Sequence, residues 1–450
     1  MLKKILAVLV LGGLVGVAWG HTASATPSVD EKTLYQLLAI IAMATAAHAF
    51  GGLVQKWTGL AEIVGWMLLG IALTNLPIVG PAVHAALSSE RYGLEHAISK
   101  VELLGIWLLM TQAGLETHLP TLVKNVGRGS LIAVIGVVVP GVIVYLALPW
   151  VYPDLSPVAR LLIAAIFTPT SLGVAKIFFT KEKILASGTA QLVIAVAAID
   201  DVIGLANLST IDGMRTGSAS LTAVLWIIAK VILFFSGSLF AGSVLTPIMT
   251  RFMVRVNGGD AMRLKLALGS SVLFAWIANA WGLSVYMGAY AGGIFLTSVH
   301  FRKFGSGKEH GVEDLLRGME YILVPVFITS VAMKVDLRLL FALKPLELLG
   351  AGMLGLVIGK VIGGQFAGPG NDKATLTWGS LVRGEVALVI AKLGFDNSMI
   401  GVEIMSVAVM AMVLSIVITS VKLPKAIQDA IKRLPTIFDA TVEAEAEAHA

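Results

Sequence analysis

The chain has 450 residues, 57% of them hydrophobic and 14% charged, with a formal net charge of +5 and a mean hydropathy of +0.87. Soluble domains carry about 25% charged residues, so this composition excludes an ordinary soluble protein and points to one built in a membrane. The positive charge comes without a basic patch interleaved with aromatics, which argues against nucleic acid as a partner, and the lack of cysteine removes disulfides, thiolate metal sites and cysteine nucleophiles.

The first stretch, "MLKKILAVLVLGGLVGVAWGHTASAT", has Lys3 and Lys4, an apolar run, then Ala23-Ser24-Ala25. That pattern predicts a secretory signal peptide over residues 1–25, the alternative being an uncleaved first span. A membrane helix needs about 20 largely apolar residues. On that criterion thirteen spans follow, near 34–54, 59–76, 97–117, 130–152, 158–179, 186–208, 220–250, 261–281, 283–299, 315–335, 341–368, 374–395 and 401–424. The segment 425–450 is a polar tail ending in "VEAEAEAHA".

Basic residues divide unevenly between alternate loops. Roughly 17 fall on one side, among them Lys56, Lys124, Arg128, Lys181, Lys183 and Lys373; the other side has 7, Lys32, Arg91, Lys100, Arg160, Arg215, Arg338 and Lys344. The richer side is assigned to the cytoplasm, which places the mature N-terminus outside and the C-terminus inside. A signal peptide demands the same outside N-terminus.

Charges inside spans are costly and mark function, usually with a partner nearby. The sixth span contains "LVIAVAAIDDVIGLANLS", with Asp200 and Asp201 adjacent in an apolar setting. Neighbouring helix residues project about 100° apart, so one acid can face a buried partner while the other faces an aqueous cavity. Lys360, in "GLVIGKVIGGQFAG" of the eleventh span, is the evident partner. Two acids against one central lysine leave an acid able to take up and release a proton or bind a cation. Arg383 and Glu385, in "LVRGEVALVI", lie two residues apart and so need separate partners, whether for packing or for transport. Lys334 and Asp336 end the tenth span, and Glu102 and Glu116 bound the third. Glu62 and Lys230 are expected to snorkel or pair, and His48 to be packed and hydrogen-bonded.

Two spans look broken. The fifth has "IFTPTSLGVAKIF", which sets Thr168, Pro169, Thr170 and Ser171 at its centre; the twelfth has "LTWGSLVRGEVAL", with Gly379, Ser380 and Gly384. Proline removes a backbone donor, and unwound backbone survives at membrane depth only in protein or along a cavity. Interrupted segments in corresponding positions of two halves point to an inverted-repeat transporter, whose free carbonyls and hydroxyls offer oxygen ligands to a small cation.

Taken in order, "GLET", "TPTSLGV", "AAIDDVIGL", "GLSVYMGAYAGGIFL", "VPVFITSVAMKVDL", "IGKVIGG" and "VRGEVALV" resemble the monovalent cation:proton antiporters, in the branch of NapA-type sodium/proton and Kef-type exchangers. The resemblance implies an all-α inverted-repeat antiporter fold over residues 34–424 with two unwound helices crossing near the aspartates. It implies a core of roughly spans 3–6 and 10–13, a dimerisation part of spans 1–2 and 8–9 linked by span 7, a homodimer, and an elevator-like motion. By resemblance Asp201 is the cation ligand, Asp200 the partner of Lys360, and Thr168, Thr170, Ser171, Arg383, Glu385 and Lys334 support them, with Thr170 a further ligand for Na⁺. The implied activity is electrogenic Na⁺(Li⁺)/H⁺ exchange in a bacterial inner membrane, without a cofactor. The chain departs from the family at Ala332, where glycine is usual, and before Arg383, where proline is usual.

Other readings are K⁺/H⁺ exchange, a sodium-coupled organic-anion symporter, and a channel or ion sensor. A symporter would need no aspartate–lysine pair, and a channel would be expected to show a Gly-Tyr-Gly filter, which is absent. No P-loop, metal-binding histidine spacing or nucleophile–base set supports an enzyme.

Overall fold

The computed structural model describes residues 28–90, 92–117, 119–215, 221–255, 260–295 and 312–433. The expected signal peptide and the end of the polar tail lie outside them. Every element among the described residues is a helix. In chain order these are α1 (Val29–Thr58), α2 (Glu62–Asn75), α3 (Gly80–Ser88), α4 (Leu94–Glu116), α5 (Leu119–Val151), α6 (Pro157–Ile166), α7 (Leu172–Lys181), α8 (Gly188–Arg215) and α9 (Leu221–Arg255). Then come α10 (Asp260–Ala280), α11 (Val285–Phe295), α12 (Val312–Ala332), α13 (Leu337–Leu340), α14 (Leu343–Gly364), α15 (Lys373–Gly379), α16 (Glu385–Asp396) and α17 (Val402–Arg433).

Seven of the described helices, α1, α4, α5, α8, α12, α14 and α17, are long and apolar enough to cross a membrane alone. The pair α2 and α3, bent by 88°, makes an eighth candidate. The protein is therefore an all-helical integral membrane protein with seven or eight spans on this criterion, fewer than the thirteen expected. Two of the expected spans, α9 and α10, have described apolar stretches of fewer than 18 residues, Trp226–Gly242 and Leu264–Ala280; the rest of the shortfall has a physical cause. The fifth and twelfth expected spans are each two short halves, α6 with α7 and α15 with α16, and α11 has only 11 residues within the described part. At 1.5 Å per residue such pieces do not cross about 30 Å of hydrocarbon singly. At the other end, α17 runs past the expected boundary at 424 because its last turns are amphipathic: Ala426, Ile427 and Ala430 are buried while Lys425, Lys432 and Arg433 are exposed.

The chain divides into two compact units. One is drawn from Met1–Leu109, Arg317–Leu346 and Ile400–Val409, the other from Met110–Leu316, Glu347–Met399 and Met410–Ala450. In the first, Ile40, Met43, Ala44 and Val326 form an apolar cluster between α1 and α12. His48 is packed there, with Nε2 donating to the Tyr321 carbonyl at 2.7 Å and Nδ1 3.8 Å from Glu62. Lys334 pairs with the buried Glu102 at 3.9 Å. Asn75 ties the end of α2 to the turn after α12, donating to the Val335 carbonyl and accepting from the Leu337 N–H. In the second unit, Lys230 donates to the Trp281 carbonyl at 2.9 Å and so satisfies an end-of-helix acceptor.

Candidate functional site

The site lies in the second unit, where α8, α14 and the two broken helices meet. The first break, residues 167–171, begins where Pro169 cannot donate to the helix ladder. Ser171 restarts the chain as α7 by accepting from the Val174 N–H. The second break covers Ser380 to Gly384. The two breaks satisfy each other: the Ser171 N–H donates to the Val382 carbonyl at 2.9 Å, and Thr170 Oγ1 lies 3.0 Å from the Ser380 carbonyl. Backbone groups orphaned in a membrane thus find protein partners, the condition for unwinding there. Gly384 permits the crossing, because a Cβ at that position would fall 2.5 Å from the Ser171 Cβ.

Four half-helix ends therefore point inward, and their partial charges are matched by side chains. Arg383, buried in the second break, donates to the Pro169 carbonyl freed by the first break and, at 3.3 Å, to Thr170 Oγ1. Glu385 opens α16, and its carboxylate accepts from Ser171 Oγ at the start of α7, 2.7 Å away. A cation covers freed carbonyls and an anion sits at two helix N-termini, each the favourable sign. Arg383 and Glu385 take separate partners. The Arg383 backbone N–H also donates to Ser415 Oγ of α17 at 3.0 Å, which fastens the second break.

Beside this crossing, Asp200 and Asp201 are both buried. Lys360 Nζ is 2.9 Å from Asp200 Oδ2, and Thr170 Oγ1 donates to the same oxygen at 2.6 Å. Lys360 is itself buried, and reaches Asp200 past Gly136 of α5, where a Cβ would lie 2.5 Å from its Nζ. Asp201 differs from its neighbour. Both its oxygens are buried, and neither has a hydrogen-bond partner among the described residues. A carboxylate so placed costs several kcal/mol when ionised. The adjacent aspartates thus have unlike environments, as their 100° separation on α8 allows.

Of the other expected residues, Thr168 turns away and donates to the Ala165 carbonyl of its own chain segment at 2.9 Å. Lys334 belongs to the first unit, with Glu102 its partner there. Four participants escaped sequence reasoning. Tyr290 of α11 is buried, with its hydroxyl 3.0 Å from Thr117 Oγ1 and 3.4 Å from the Ala198 carbonyl, one turn before Asp201. Lys176 of α7 pairs with Glu116 at 3.2 Å. Gly136 makes room for Lys360, and Lys392, buried in α16, pairs with Asp396. Tyr290 and Lys176 stood in stretches that had drawn notice; a lysine in each second half-helix was a usable signal. A cavity of about 200 Å³ opens between α6, α8, α10, α11 and α16, lined by Leu162, Leu208, Asn279, Tyr286 and Asn397. Leu208 lies two helical turns beyond Asp201 on α8.

Comparisons with known proteins agree on one family. The transmembrane sodium/hydrogen exchanger family matches residues 46–426. The chain is 25% identical over 362 residues to the high-affinity Na⁺/H⁺ antiporter NhaS3 of Synechocystis sp., covering 74% of this chain and 77% of that protein. It is 24% identical over 400 residues to a Na⁺/H⁺ antiporter of Enterococcus hirae, covering 85% and 96%. The solved structure of the sodium proton antiporter MjNhaP1 from Methanocaldococcus jannaschii at pH 8 shares the fold, with a TM-score of 0.64 at 16% identity over 87% of this chain and 99% of that one. With a family match over most of its length, the chain belongs to the sodium/hydrogen exchanger family, as a monovalent cation/proton antiporter rather than an enzyme.

Proposed function

We propose that this antiporter exchanges sodium or lithium for protons, electrogenically, with Asp201 as the group that alternately holds the cation and a proton. The observation that carries the reading is the contrast within the aspartate pair. Asp200 is held by Lys360 and Thr170, whereas Asp201 is buried with neither oxygen hydrogen-bonded among the described residues. A buried carboxylate without a protein partner gains most from a transported cation or proton. Sodium is favoured because the curated relatives in Synechocystis and Enterococcus hirae are Na⁺/H⁺ antiporters.

Thirteen spans form an inverted repeat, with each broken pair counted as one span. The core carrying the carboxylates moves in an elevator-like manner within a homodimer. The chain sits in a bacterial inner membrane, N-terminus outside and C-terminus cytoplasmic, as its basic loops favour.

The test is pH-gradient dequenching by purified protein in proteoliposomes, with sodium, lithium and potassium added separately. Sodium and lithium are expected to dissipate the gradient and potassium to do so weakly. Dissipation by potassium alone would overturn the ion assignment, and no response to any of the three would overturn the antiport reading.

Thr170 provides a second check. Thr170→Val keeps the shape but removes the hydroxyl that donates to Asp200 and accepts from Arg383. Hydrogen bonds to charged groups are worth about 1.5–3 kcal/mol, so apparent cation affinity is expected to weaken about tenfold or more. The amount of folded protein should change little, as judged by monodisperse elution in detergent. Unchanged apparent affinity would remove this break from the site.

A further inference from the structure

We propose that Tyr290 is a positioning residue whose hydroxyl latches α8, the helix of Asp200 and Asp201, to α11, and that the strength of this latch sets the maximal rate of exchange. This role rests on the elevator-like motion proposed above, in which α8 travels with the carboxylates. Glycines make α4, α10 and α11 one closely keyed block. A Cβ on Gly114 of α4 would fall 2.1 Å from the Tyr290 carbonyl oxygen, and one on Gly293 of α11 would fall 2.2 Å from the Thr111 carbonyl oxygen. Gly288 and Gly292 of α11 meet α10 as closely, at 2.3 Å from the Phe274 carbonyl oxygen and 2.6 Å from the Ser271 Cα. Small residues let membrane helices approach backbone to backbone in this way. The hydroxyls of Thr111 and Ser271, 2.5 Å apart and buried, tie α4 to α10 as well.

The glycines of α8 face elsewhere: Gly188 meets Asn371, and Gly204 meets Val386 and Pro169. Side chains join α8 to α11 instead. The Tyr290 hydroxyl lies 3.4 Å from the Ala198 carbonyl, and the Ser284 N–H, just before α11, donates to Ser209 Oγ at 3.1 Å. Counting protons shows how the first of these links works. Thr117 Oγ1 gives its only proton to the Ala113 carbonyl at 2.9 Å, so towards Tyr290, 3.0 Å away, it accepts. The phenol thus has one proton and two acceptors, Thr117 beside α4 and Ala198 on α8. The Ala198 contact is the longer and lies past the usual O–H···O range. When α8 moves off, the proton stays with Thr117, and no buried donor is orphaned. The link to α8 is therefore weak enough to release in every cycle.

Tyr290→Phe removes the hydroxyl and strands nothing, since Thr117 keeps Ala113 and the Ala198 carbonyl keeps its helix bond. Exchange in proteoliposomes is expected to turn over about three- to tenfold faster at saturating sodium, the worth of one weak hydrogen bond lost as α8 moves. Thr117→Val takes away the other acceptor, commits the proton to Ala198, and is expected to slow maximal turnover about threefold. In the double variant Tyr290→Phe with Thr117→Val the slowing is expected to vanish, because no proton remains to redirect. A packing role for Tyr290 would instead lower rate and folded yield in both single variants. Unchanged or slower turnover in Tyr290→Phe, or a Thr117→Val effect that persists in the double variant, would overturn the latch. The chain has no cysteine, so a disulfide between Ser209→Cys and Ser284→Cys tests the motion separately. If exchange survives the cross-link, the motion and the latch fall together; if the cross-link stops it reversibly while Tyr290→Phe turns over like the wild type, only the latch falls.

Discussion

Asp201→Asn is expected to abolish cation-driven proton movement, down to the level of protein-free liposomes, while leaving the fold more stable. The amide has nearly the shape of the carboxylate, so packing around α8 is kept. It can neither give up a proton nor offer a negative oxygen. In the proposed scheme both functions rest on one group that is buried and without a hydrogen bond among the described residues. Removing its charge relieves a desolvation cost of at least about 1–2 kcal/mol, so the apparent Tm in detergent should rise by a few °C. The combination matters: a residue kept for packing would lose stability on substitution, whereas one kept for function at a cost gains it. Robust exchange by the variant would remove Asp201 from the central role. A lowered Tm would show that Asp201 holds the structure together, against the unpartnered geometry described above.

The features legible from sequence are those for which a membrane leaves few explanations. An Asp-Asp pair, a central lysine and a proline among hydroxyls stand out in apolar runs because lipid penalises each of them. Asp200, Asp201, Lys360, Thr170, Arg383 and both breaks were marked in this way, and the structure brings them together in one unit. What stayed hidden depends on tertiary contact. Nothing local to Gly136 says that Lys360 must pass it, and the partnership of Lys176 with Glu116 joins residues 60 apart in the chain. Thr168 shows the converse, since a hydroxyl in the marked stretch donates to the nearer acceptor that its own turn offers. The bend between α2 and α3 is likewise set by packing, which a run of apolar residues does not reveal.

The second large effect concerns Lys360 and membrane voltage. Lys360 holds Asp200 at 2.9 Å in a site closed to water, and Asp200 Oδ2 also accepts from Thr170. A monovalent cation arriving at the adjacent Asp201 adds a positive charge to the buried site that already holds the ammonium. The unfavourable energy of two like charges there is relieved if Lys360 releases a proton as Asp201 releases its own. Two protons then leave for each cation that enters, and one net charge crosses the membrane per cycle. A charge moved across 100 mV is worth about 2.3 kcal/mol. An imposed potassium-diffusion potential of that size in valinomycin-treated proteoliposomes should therefore shift the exchange equilibrium by roughly fiftyfold. Lys360→Gln is expected to lose activity, or to retain exchange that no longer responds to voltage. Gly136→Val is expected to act in the same direction without replacing the lysine itself, because the added side chain would occupy the path of Nζ to Asp200. If wild-type exchange reaches the same equilibrium at every imposed potential, the two-proton scheme is wrong, and Lys360 serves only to fix Asp200 while Asp201 still carries the ion.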